Sequence, residues 1–206
     1  MKQFVGEVVL LNRRTGEFDR AEVFRTLDSA DLDSVQRDWK PLLDKWKNRS
    51  DAGKAHAEDA HWDWLKEVRK ASRSMGAETF SVECGGVIQG LMVVDMTKFA
   101  RLEVQKGREL VYVDRVATAP FNRPKLVPDP HYKGVGRVLI ATAVSLSFSE
   151  ELDFRGRIGL HSLPQSEDRY RQMGFTEVEF DQRKKMRYFE MTEAQAAQFL
   201  TEPEEL

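Results

Sequence analysis

The stretch HYKGVGRVLIATAVSLSF, residues 131–148, constrains the fold of this chain most strongly. Residues 134–148 are apolar on nearly all sides, which predicts a helix packed against a sheet. Gly134 and Gly136 at its beginning allow a ligand to approach the backbone closely. The N–H groups of a first helical turn suit a phosphate, so the junction predicts a phosphate site. A tight strand-to-helix connection is the alternative explanation of the same glycines.

Two better-known phosphate-binding motifs do not match this junction. The dinucleotide fingerprint requires a third glycine and an acidic residue at the end of the next strand. Leu139 and His161 stand at those two positions. A P-loop is excluded as well, because no Gly-Lys-Ser or Gly-Lys-Thr closes the motif.

Alternating and β-branched apolar runs predict an extensive sheet. The strands are expected at residues 4–11, 18–26, 78–84, 87–95, 109–119, 156–161, 175–181 and 185–191. Apolar side chains at three- and four-residue spacing predict a helix over residues 32–46, divided at Pro41, and another over 60–75. A short helix should end at Gly174, and Thr192 should cap the last helix. The elements together are those of a mixed α/β fold.

Composition limits the class of protein. A chain of 206 residues with 41% apolar and 32% charged residues is expected to form a single domain over residues 1–206. Residues 1–20 would add an N-terminal strand, and residues 201–206 would form a loose acidic tail. The N-terminus resembles neither a signal peptide nor a membrane span, and the single Cys84 excludes an internal disulfide. These features favour a cytoplasmic protein without a membrane partner.

The charge balance argues against a generally basic nucleic-acid binder. Lys and Arg total 32 and Asp and Glu total 34, so the net charge is −2. Proteins that gain affinity by neutralising phosphates carry a basic surface instead. The basic run at residues 183–187 is typical of a solvated turn or strand edge.

Three motifs, in this order, resemble those of the GNAT superfamily of N-acetyltransferases. Its members show a strand ending in a small-apolar-Pro stretch, which corresponds to VATAP at residues 116–120. A Gln/Arg-x-x-Gly-x-Gly/Ala motif then opens a helix, as HYKGVG does at residues 131–136. A short helix with a Tyr and a following Gly-Phe correspond to YRQMGF at residues 170–175. With the preceding hairpins and helices, the resemblance covers about residues 20–191.

The resemblance implies a fold, a reaction and a set of cofactor contacts. The fold is a mostly antiparallel twisted sheet of about six to seven strands, flanked by helices, with a cofactor cleft at splayed strands. The reaction is direct transfer of an acyl group, in the first place acetyl, from acyl-CoA to a primary amine of a small molecule or peptide. The pyrophosphate of acetyl-CoA, or of another acyl-CoA, would bind the backbone of residues 133–137, and the pantetheine arm would follow the strand edge at 116–118. The implied cofactor-binding residues are Val116, Ala117, Thr118, His131, Tyr132, Lys133, Gly134, Val135, Gly136, Arg137 and Ser166.

Three positions depart from the superfamily's pattern. His131 replaces the usual Gln or Arg, which removes a supporting side chain and leaves the backbone of the loop unchanged. The connection at residues 121–130 is longer than in other members. The Asn that often begins the short helix is absent, and Ser162 or Leu163 takes its place, so one cofactor hydrogen bond would be lost.

Acyl transfer to an amine needs one group that takes a proton and one that gives a proton. An alkylamine has a pKa of about 10.4, so a base or a water chain must first remove a proton. Asp114 is the candidate base, and the alternative is a structural carboxylate paired with Arg115. Tyr170 stands where superfamily members place the acid that protonates the leaving thiolate, and the alternative is a ring that only packs against the cofactor.

The histidines leave one alternative open and predict no metal site. His161 ends a strand beside the predicted site, which is compatible with catalysis. No neighbour in sequence is fitted to orient its ring, which favours a structural histidine instead. His56 and His61 lie on a predicted surface helix at a spacing that is poor for sharing a metal ion.

Other functions and arrangements are compatible with these residues. A chain that kept the fold and lost the chemistry would be an acyl-CoA-binding or regulatory module. A toxin-like enzyme that acetylates charged tRNA would need a broad basic face, which the charge balance disfavours. The proline-rich connection at residues 120–130 would form either a wall over the acceptor or a surface loop. An exposed strand edge would allow a homodimer.

Overall fold

The chain folds into two compact units. The computed structural model describes residues 2–27, 29–47, 57–149 and 153–202. The polar link expected at residues 48–54 and His56 lie outside the described residues. The first unit comprises residues 1–93 and 115–139, and the second comprises residues 94–114 and 140–206.

The first unit is built on a sheet with one covered face. Its strands are β1 (Gln3–Asn12), β2 (Phe18–Arg25), β3 (Ala77–Cys84), the beginning of β4 (Val87–Phe99), the end of β5 (Glu109–Thr118) and β6 (Tyr132–Lys133). They are hydrogen-bonded in the order β6-β1-β2-β3-β4-β5. Leu10 and Ala21 are buried, whereas Val9, Arg20 and Glu22 beside them are exposed. Side chains that alternate in this way place one face on a core and the other in solvent.

Helices supply the core of the first unit. The described ones are α1 (Ser29–Asp38), α2 (Lys40–Lys47) and α3 (Trp64–Ala71). Their apolar stripes pack with strand residues in one hydrophobic cluster, which includes Leu32, Val35, Trp39, Leu43, Trp64, Val68, Ile88, Leu91, Ala117 and Leu126. The predicted division at Pro41 is confirmed, because Pro41 lies in the first turn of α2, where a missing N–H costs no helical hydrogen bond. Asp63 caps α3 by accepting a hydrogen bond from the Lys66 N–H at 3.0 Å.

The second unit has a mixed sheet. Its strands are the end of β4, the beginning of β5, β7 (Ile158–Ser162), β8 (Thr176–Asp181) and β9 (Met186–Met191), in the order β4-β5-β7-β9-β8. Strand β7 is parallel to β5 and antiparallel to β9. Helix α4 (Val135–Ser147) begins in the first unit, and α5 (Glu167–Gln172) and α6 (Glu193–Thr201) belong to the second. The expected cap of α6 is confirmed as a reciprocal capping box between Thr192 and Gln195. None of the described helices has the length and apolar character needed to cross a membrane.

The predicted fold class is confirmed, and two details, the number of strands and the length of the second helix, were wrong. The described residues form nine strands, more than the six to seven expected, because β1 and the short β6 add to one edge. Strand β6 exists because Tyr132 and Lys133 pair with the end of β1. The helix expected over residues 60–75 spans only α3, and Met75 is fully exposed beyond it. Thr201 belongs to α6, and residues 203–206 lie outside the described residues.

Candidate active site

The two segments predicted to hold the cofactor are neighbours in the first unit. Helix α4 begins at Val135, directly after Gly134, whose φ is +96°. A Cβ atom placed on Gly136 would lie 3.5 Å from the side-chain oxygen of Thr118. The N-terminus of α4 therefore lies against the end of β5.

The glycines at this junction leave the backbone open to an anion. A positive φ such as that of Gly134 is rarely adopted by other residues. The N–H groups of Val135 and Gly136 lie in the first helical turn, where the helix provides no acceptor and its dipole is positive. A pyrophosphate fits this arrangement, because it accepts several hydrogen bonds and carries negative charge.

A third glycine, which the sequence analysis missed, sets the distance between α4 and β4. A Cβ atom on Gly90 would lie 2.6 Å from Cγ1 of Val135 and 2.9 Å from Cδ1 of Leu139. Packed carbon atoms are about 3.5–4.0 Å apart, so a larger residue at this position would push the helix away. A lone glycine within an apolar strand was the available signal, since it indicates a close approach by another element.

A buried amide pair holds the start of the phosphate loop, residues 131–137. Asn122 donates a hydrogen bond to Oε1 of Gln89 at 2.9 Å and accepts one from the Tyr132 N–H at 3.0 Å. The Gln89 carbonyl accepts from the Ala119 N–H at 2.8 Å. Both amide side chains are buried, and buried amides are costly to leave unpaired, so they link β4, the end of β5 and the phosphate loop in one geometry. No sequence pattern indicates this pair, because its members are 33 residues apart.

The proline-rich connection after β5 is anchored to the first unit. Arg123 forms a bidentate salt bridge with buried Asp59, with N···O distances of 2.7 and 2.6 Å. Its Nε donates to the Thr118 carbonyl at 2.8 Å, which holds the last residue of β5. Leu126 is buried in the hydrophobic cluster. The connection is therefore not a free surface loop, and its role as a wall over an acceptor stays a prediction.

The first two residues of the phosphate loop direct their side chains to the N-terminal hairpin. Nε2 of His131 lies 3.0 Å from a guanidinium nitrogen of Arg14. The Tyr132 hydroxyl donates to a carboxylate oxygen of Asp19 at 2.9 Å. The hydrogen bond with Cys84, burial and the bond with Asp19 together raise the pKa of Tyr132. These side chains anchor the loop, so we expect His131 and Tyr132 to contact a cofactor through their backbone.

Ser166 and Tyr170 lie in the second unit, in the segment after β7. Ser166 is the last residue of a 3-10 turn and directly precedes α5. The Tyr170 ring lies 5.5 Å from the Phe175 ring in an edge-on contact and 6.1 Å from the Phe189 ring. Burial raises the pKa of Tyr170, so the hydroxyl is protonated at neutral pH. A protonated phenol is the form that can donate a proton.

Asp114 follows directly after the paired part of β5. The parallel pairing with β7 covers Val111–Val113, and β5 continues to Thr118 beyond it. Asp114 is half-buried. Tyr112 is two residues earlier, so both side chains project from the same face of the strand. The role of Asp114 as a base stays a prediction.

Hydrogen bonds join four side chains of the second unit in a chain around His161. The Tyr112 hydroxyl lies 2.8 Å from Nδ1 of His161, and a carboxylate oxygen of Asp181 lies 3.2 Å from Nε2. Nζ of Lys184 donates to the Tyr112 hydroxyl at 2.9 Å. Asp181 thus supplies the orienting partner that is absent among the sequence neighbours of His161. No sequence pattern indicates this partner, because β9 lies between β7 and β8 in the sheet.

The imidazole of His161 is neutral at physiological pH. Burial, together with the charges of Lys184 and Arg101, lowers the pKa of His161 to about 4, and Asp181 opposes this shift. Backbone N–H groups of the following turn lower the pKa of Asp181 to about 2. A neutral imidazole can also bind a metal ion. Within the described ranges, however, no group of three His, Cys, Asp or Glu residues is placed to hold one.

We expect the protein to lose stability as the pH falls from about 6.5 to about 4, because unfolded His161 binds a proton that the folded ring does not. The loss should reach on the order of 3 kcal/mol. His161→Gln keeps a polar side chain that does not titrate, so it should remove this part of the loss. Urea unfolding of both proteins at about pH 7 and about pH 4.5 measures the difference. Equal losses of stability in the native protein and His161→Gln would contradict the assignment of this loss to His161. Asp181 does not contribute to the measured difference, because its own stabilising effect is lost only as the pH falls from 3.8 to about 2.

Solved structures share this architecture. The PaiA N-acetyltransferase from Thermoplasma acidophilum, in complex with coenzyme A, has a TM-score of 0.53 and 13% identity over 84% of this chain and 98% of that chain. A Desulfovibrio desulfuricans protein assigned to the GNAT family of acetyltransferases has a TM-score of 0.51 and 12% identity over 82% and 96% of the two chains. The chain has the GNAT fold. AAC(6')-Iy, bound to the bisubstrate analogue CoA-S-monomethyl-acetylneamine, has a TM-score of 0.50 and 16% identity over 77% and 92%.

The GNAT fold confirms the fold class that the three sequence motifs predicted. Neither the protein-family models nor the curated proteins match this sequence. A fold hosts many activities, so the function of this chain has to be argued from its own residues.

Proposed function

We propose that this chain is an N-acyltransferase that transfers an acyl group, in the first place acetyl, from acyl-CoA directly to a primary amine. The observation that supports this most directly is the junction of β5 and α4. There the positive φ of Gly134 and the missing side chain of Gly136 bring the backbone of the first turn of α4 close to the end of a strand. Two solved structures with the same fold contain CoA or a CoA analogue, which also supports an acyl-CoA substrate.

The first unit would hold the CoA portion of this substrate. Its pyrophosphate would accept hydrogen bonds from the first turn of α4, and the cationic side chains of Lys133 and Arg137 would add favourable charge. The pantetheine arm would bind along residues 116–118 in the manner of an added strand. In this arrangement the backbone geometry, held by Asn122 and Gly90, matters more than the identity of the loop side chains.

The chemistry requires transfer of protons at both ends of the reaction. We assign Tyr170 as the acid that protonates the leaving thiolate. Its hydroxyl is protonated at neutral pH, and along the sequence Tyr170 comes after the glycine-rich phosphate loop, as in the GNAT superfamily. Asp114 is the sequence-based candidate for the base that activates the amine. The thioester C–S bond breaks and an amide N–C bond forms, and no covalent enzyme intermediate is needed.

The alternative is a module that binds acyl-CoA without turning it over. The replacement of the usual Asn by Ser162 or Leu163 favours it. Both functions predict binding of acetyl-CoA, and only the first predicts release of free CoA with an amine. A panel of primary amines, with CoA release followed by a thiol reagent, separates the two.

Substitutions at Gly136 test the cofactor site. Gly136→Glu should weaken acetyl-CoA binding at least about 100-fold, because its carboxylate would occupy and repel the phosphate position. Acidic residues stabilise the first turn of a helix, so the fold should be preserved. Gly136→Ala is the matched control, since its Cβ meets only an ordinary 3.5 Å contact with Thr118. Calorimetric titration of acetyl-CoA measures both variants.

The outcomes of this titration separate the hypotheses. Binding by the native protein and Gly136→Ala, with loss in Gly136→Glu, supports the proposed site. Equal binding by all three proteins would place acetyl-CoA elsewhere. If the native protein does not bind acetyl-CoA, both proposed functions, acyltransferase and acyl-CoA-binding module, are excluded.

A further inference from the structure

The Tyr112 hydroxyl of the second unit already binds a primary alkylammonium group, that of Lys184. The Nζ atom of Lys184 lies 2.9 Å from this hydroxyl and 5.1 Å from the centre of the Tyr112 ring. It also lies 3.4 Å from Nδ1 of His161. The Lys184 side chain is exposed, in the turn between β8 and β9, and a long exposed lysine side chain is flexible. We call this position on the Tyr112 hydroxyl, beside His161, the amine site.

The hydrogen bonds behind the amine site have one consistent direction. The Asp181 carboxylate can only accept, so Nε2 of His161 carries the hydrogen and Nδ1 accepts. The Tyr112 hydroxyl therefore donates to Nδ1, and its oxygen accepts from the Lys184 ammonium. A proton arriving on the Tyr112 oxygen can move on to His161, and the resulting imidazolium would lie beside a carboxylate.

We propose that the acceptor amine of the N-acyltransferase reaction binds at the amine site in place of the Lys184 ammonium, and that Tyr112 and His161 remove its proton. This inference rests on the proposed function. It assigns the acceptor as a primary alkylamine, since that is the group the site holds through its own lysine. His161 would take the role of base for which Asp114 is the sequence-based candidate. Tyr112 would be a catalytic residue that contacts the amine, and Asp181 would be a positioning residue for His161.

The proposed step balances in protons and bonds. The bound ammonium first releases one proton to solvent. As the neutral amine attacks the thioester carbonyl, the N–C bond forms and the nitrogen becomes acidic, so it gives its next proton to the Tyr112 oxygen while the Tyr112 proton moves to Nδ1 of His161. The C–S bond breaks, Tyr170 protonates the thiolate, and the proton released by His161 restores Tyr170 through solvent. The net products are an amide, free CoA and one proton.

Burial and the charged groups around His161 keep its imidazole neutral before the acceptor amine binds. The ionisable groups that face it from the neighbouring elements are Tyr112, Asp181, Lys184, Tyr188 and Arg101. Burial of the ring, and after it the cations Lys184 and Arg101, disfavour a resting imidazolium. When an acceptor displaces Lys184 and loses its proton, one of these cations is gone from the site. Asp181 then stabilises the imidazolium without an opposing ammonium next to Tyr112.

n-Butylamine, which copies the Lys184 side chain, tests the inference with acetyl-CoA as donor. Lys184→Ala should lower the KM for n-butylamine at least about tenfold and keep kcat, because the competing ammonium is removed. Adding Tyr112→Phe to this variant should lower kcat about 100-fold with the acetyl-CoA Kd unchanged, and the remaining rate should rise with hydroxide concentration. Lys185→Ala, in the same turn, is the matched control and should leave the KM unchanged. A higher KM in Lys184→Ala, or an unchanged kcat after Tyr112→Phe, would overturn the proposal.

Nitrogen-15 spectra of the imidazole provide a readout that is independent of turnover. In Lys184→Ala, added n-butylamine should shift the Nδ1 resonance of His161 in a saturable manner, and Tyr112→Phe should abolish the shift. A spectrum in which the hydrogen is on Nδ1 would refute the proposed direction of transfer. If n-butylamine does not shift the Nδ1 resonance of Lys184→Ala while acetyl-CoA binds normally, only this inference is contradicted. If the native protein does not bind acetyl-CoA, the proposed function is contradicted.

Discussion

Replacing Tyr170 with phenylalanine is expected to lower kcat with acetyl-CoA and a primary amine by about 100- to 1,000-fold. The reason is that the leaving thiolate would have to take its proton from solvent. The ring contacts with Phe175 and Phe189 do not involve the hydroxyl, so the variant should keep its packing. Steady-state kinetics with both substrates varied provides the measurement.

Two controls accompany the Tyr170 variant. The acetyl-CoA Kd, measured by calorimetry, should stay within about twofold of the native value, since the pyrophosphate is expected to bind the backbone of the phosphate loop. The free energy of unfolding in urea should change by no more than about 1 kcal/mol. If kcat is unchanged while both controls hold, Tyr170 is only a packing residue and the thiolate is protonated by another group.

Gly90→Ala should both destabilise the protein and weaken acetyl-CoA binding. The added methyl group would lie 2.6 Å from Val135, the first residue of α4, and 2.9 Å from Leu139. Relieving this contact requires the start of α4 to move from β4, which would cost about 1–3 kcal/mol of stability. The same movement displaces the N–H groups predicted to bind pyrophosphate, so we expect the Kd to rise at least about tenfold.

Gly6→Ala is the matched control for this substitution. Gly6 is also a strand glycine, and a Cβ atom there would meet no heavy atom within 4 Å. It should leave both the unfolding free energy and the acetyl-CoA Kd close to native. If Gly90→Ala behaves like Gly6→Ala in calorimetry and urea unfolding, then the position of α4 is not what shapes the cofactor site.

Much of the architecture could be predicted because it depends on residues close together in sequence. Runs rich in Val, Phe and Leu on both sides of a turn-like stretch predicted β1 and β2, and the all-round apolar pattern of residues 134–148 predicted α4. Pro41 marked the division between α1 and α2 for a reason intrinsic to proline. Strand β6 was not predicted, because two residues carry no periodicity and the strand forms only through its partner β1.

The candidate site also contains some residues that the sequence identified and others that it did not. Gly134 and Gly136 were identified from local chemistry, since a glycine before and within a first helical turn has consequences wherever the helix lies. Asn122 and Gln89 could not be identified, because a buried amide pair depends on which strand lies beside which loop. The lone glycine in β4 was not used as a signal, and it would in any case indicate a close approach without identifying α4 as the partner.

The sequence by itself determined the order and type of the main elements, with β6 as the exception, the glycine junction of the phosphate loop and the motifs that resemble the GNAT superfamily. Each of these rests on backbone preferences and on periodicities of a few residues. Only the tertiary structure decided which side chains meet. It brought Asp181 to His161, and Lys184 to Tyr112 from 72 positions away, because strand order in a sheet brings together residues that no sequence spacing relates.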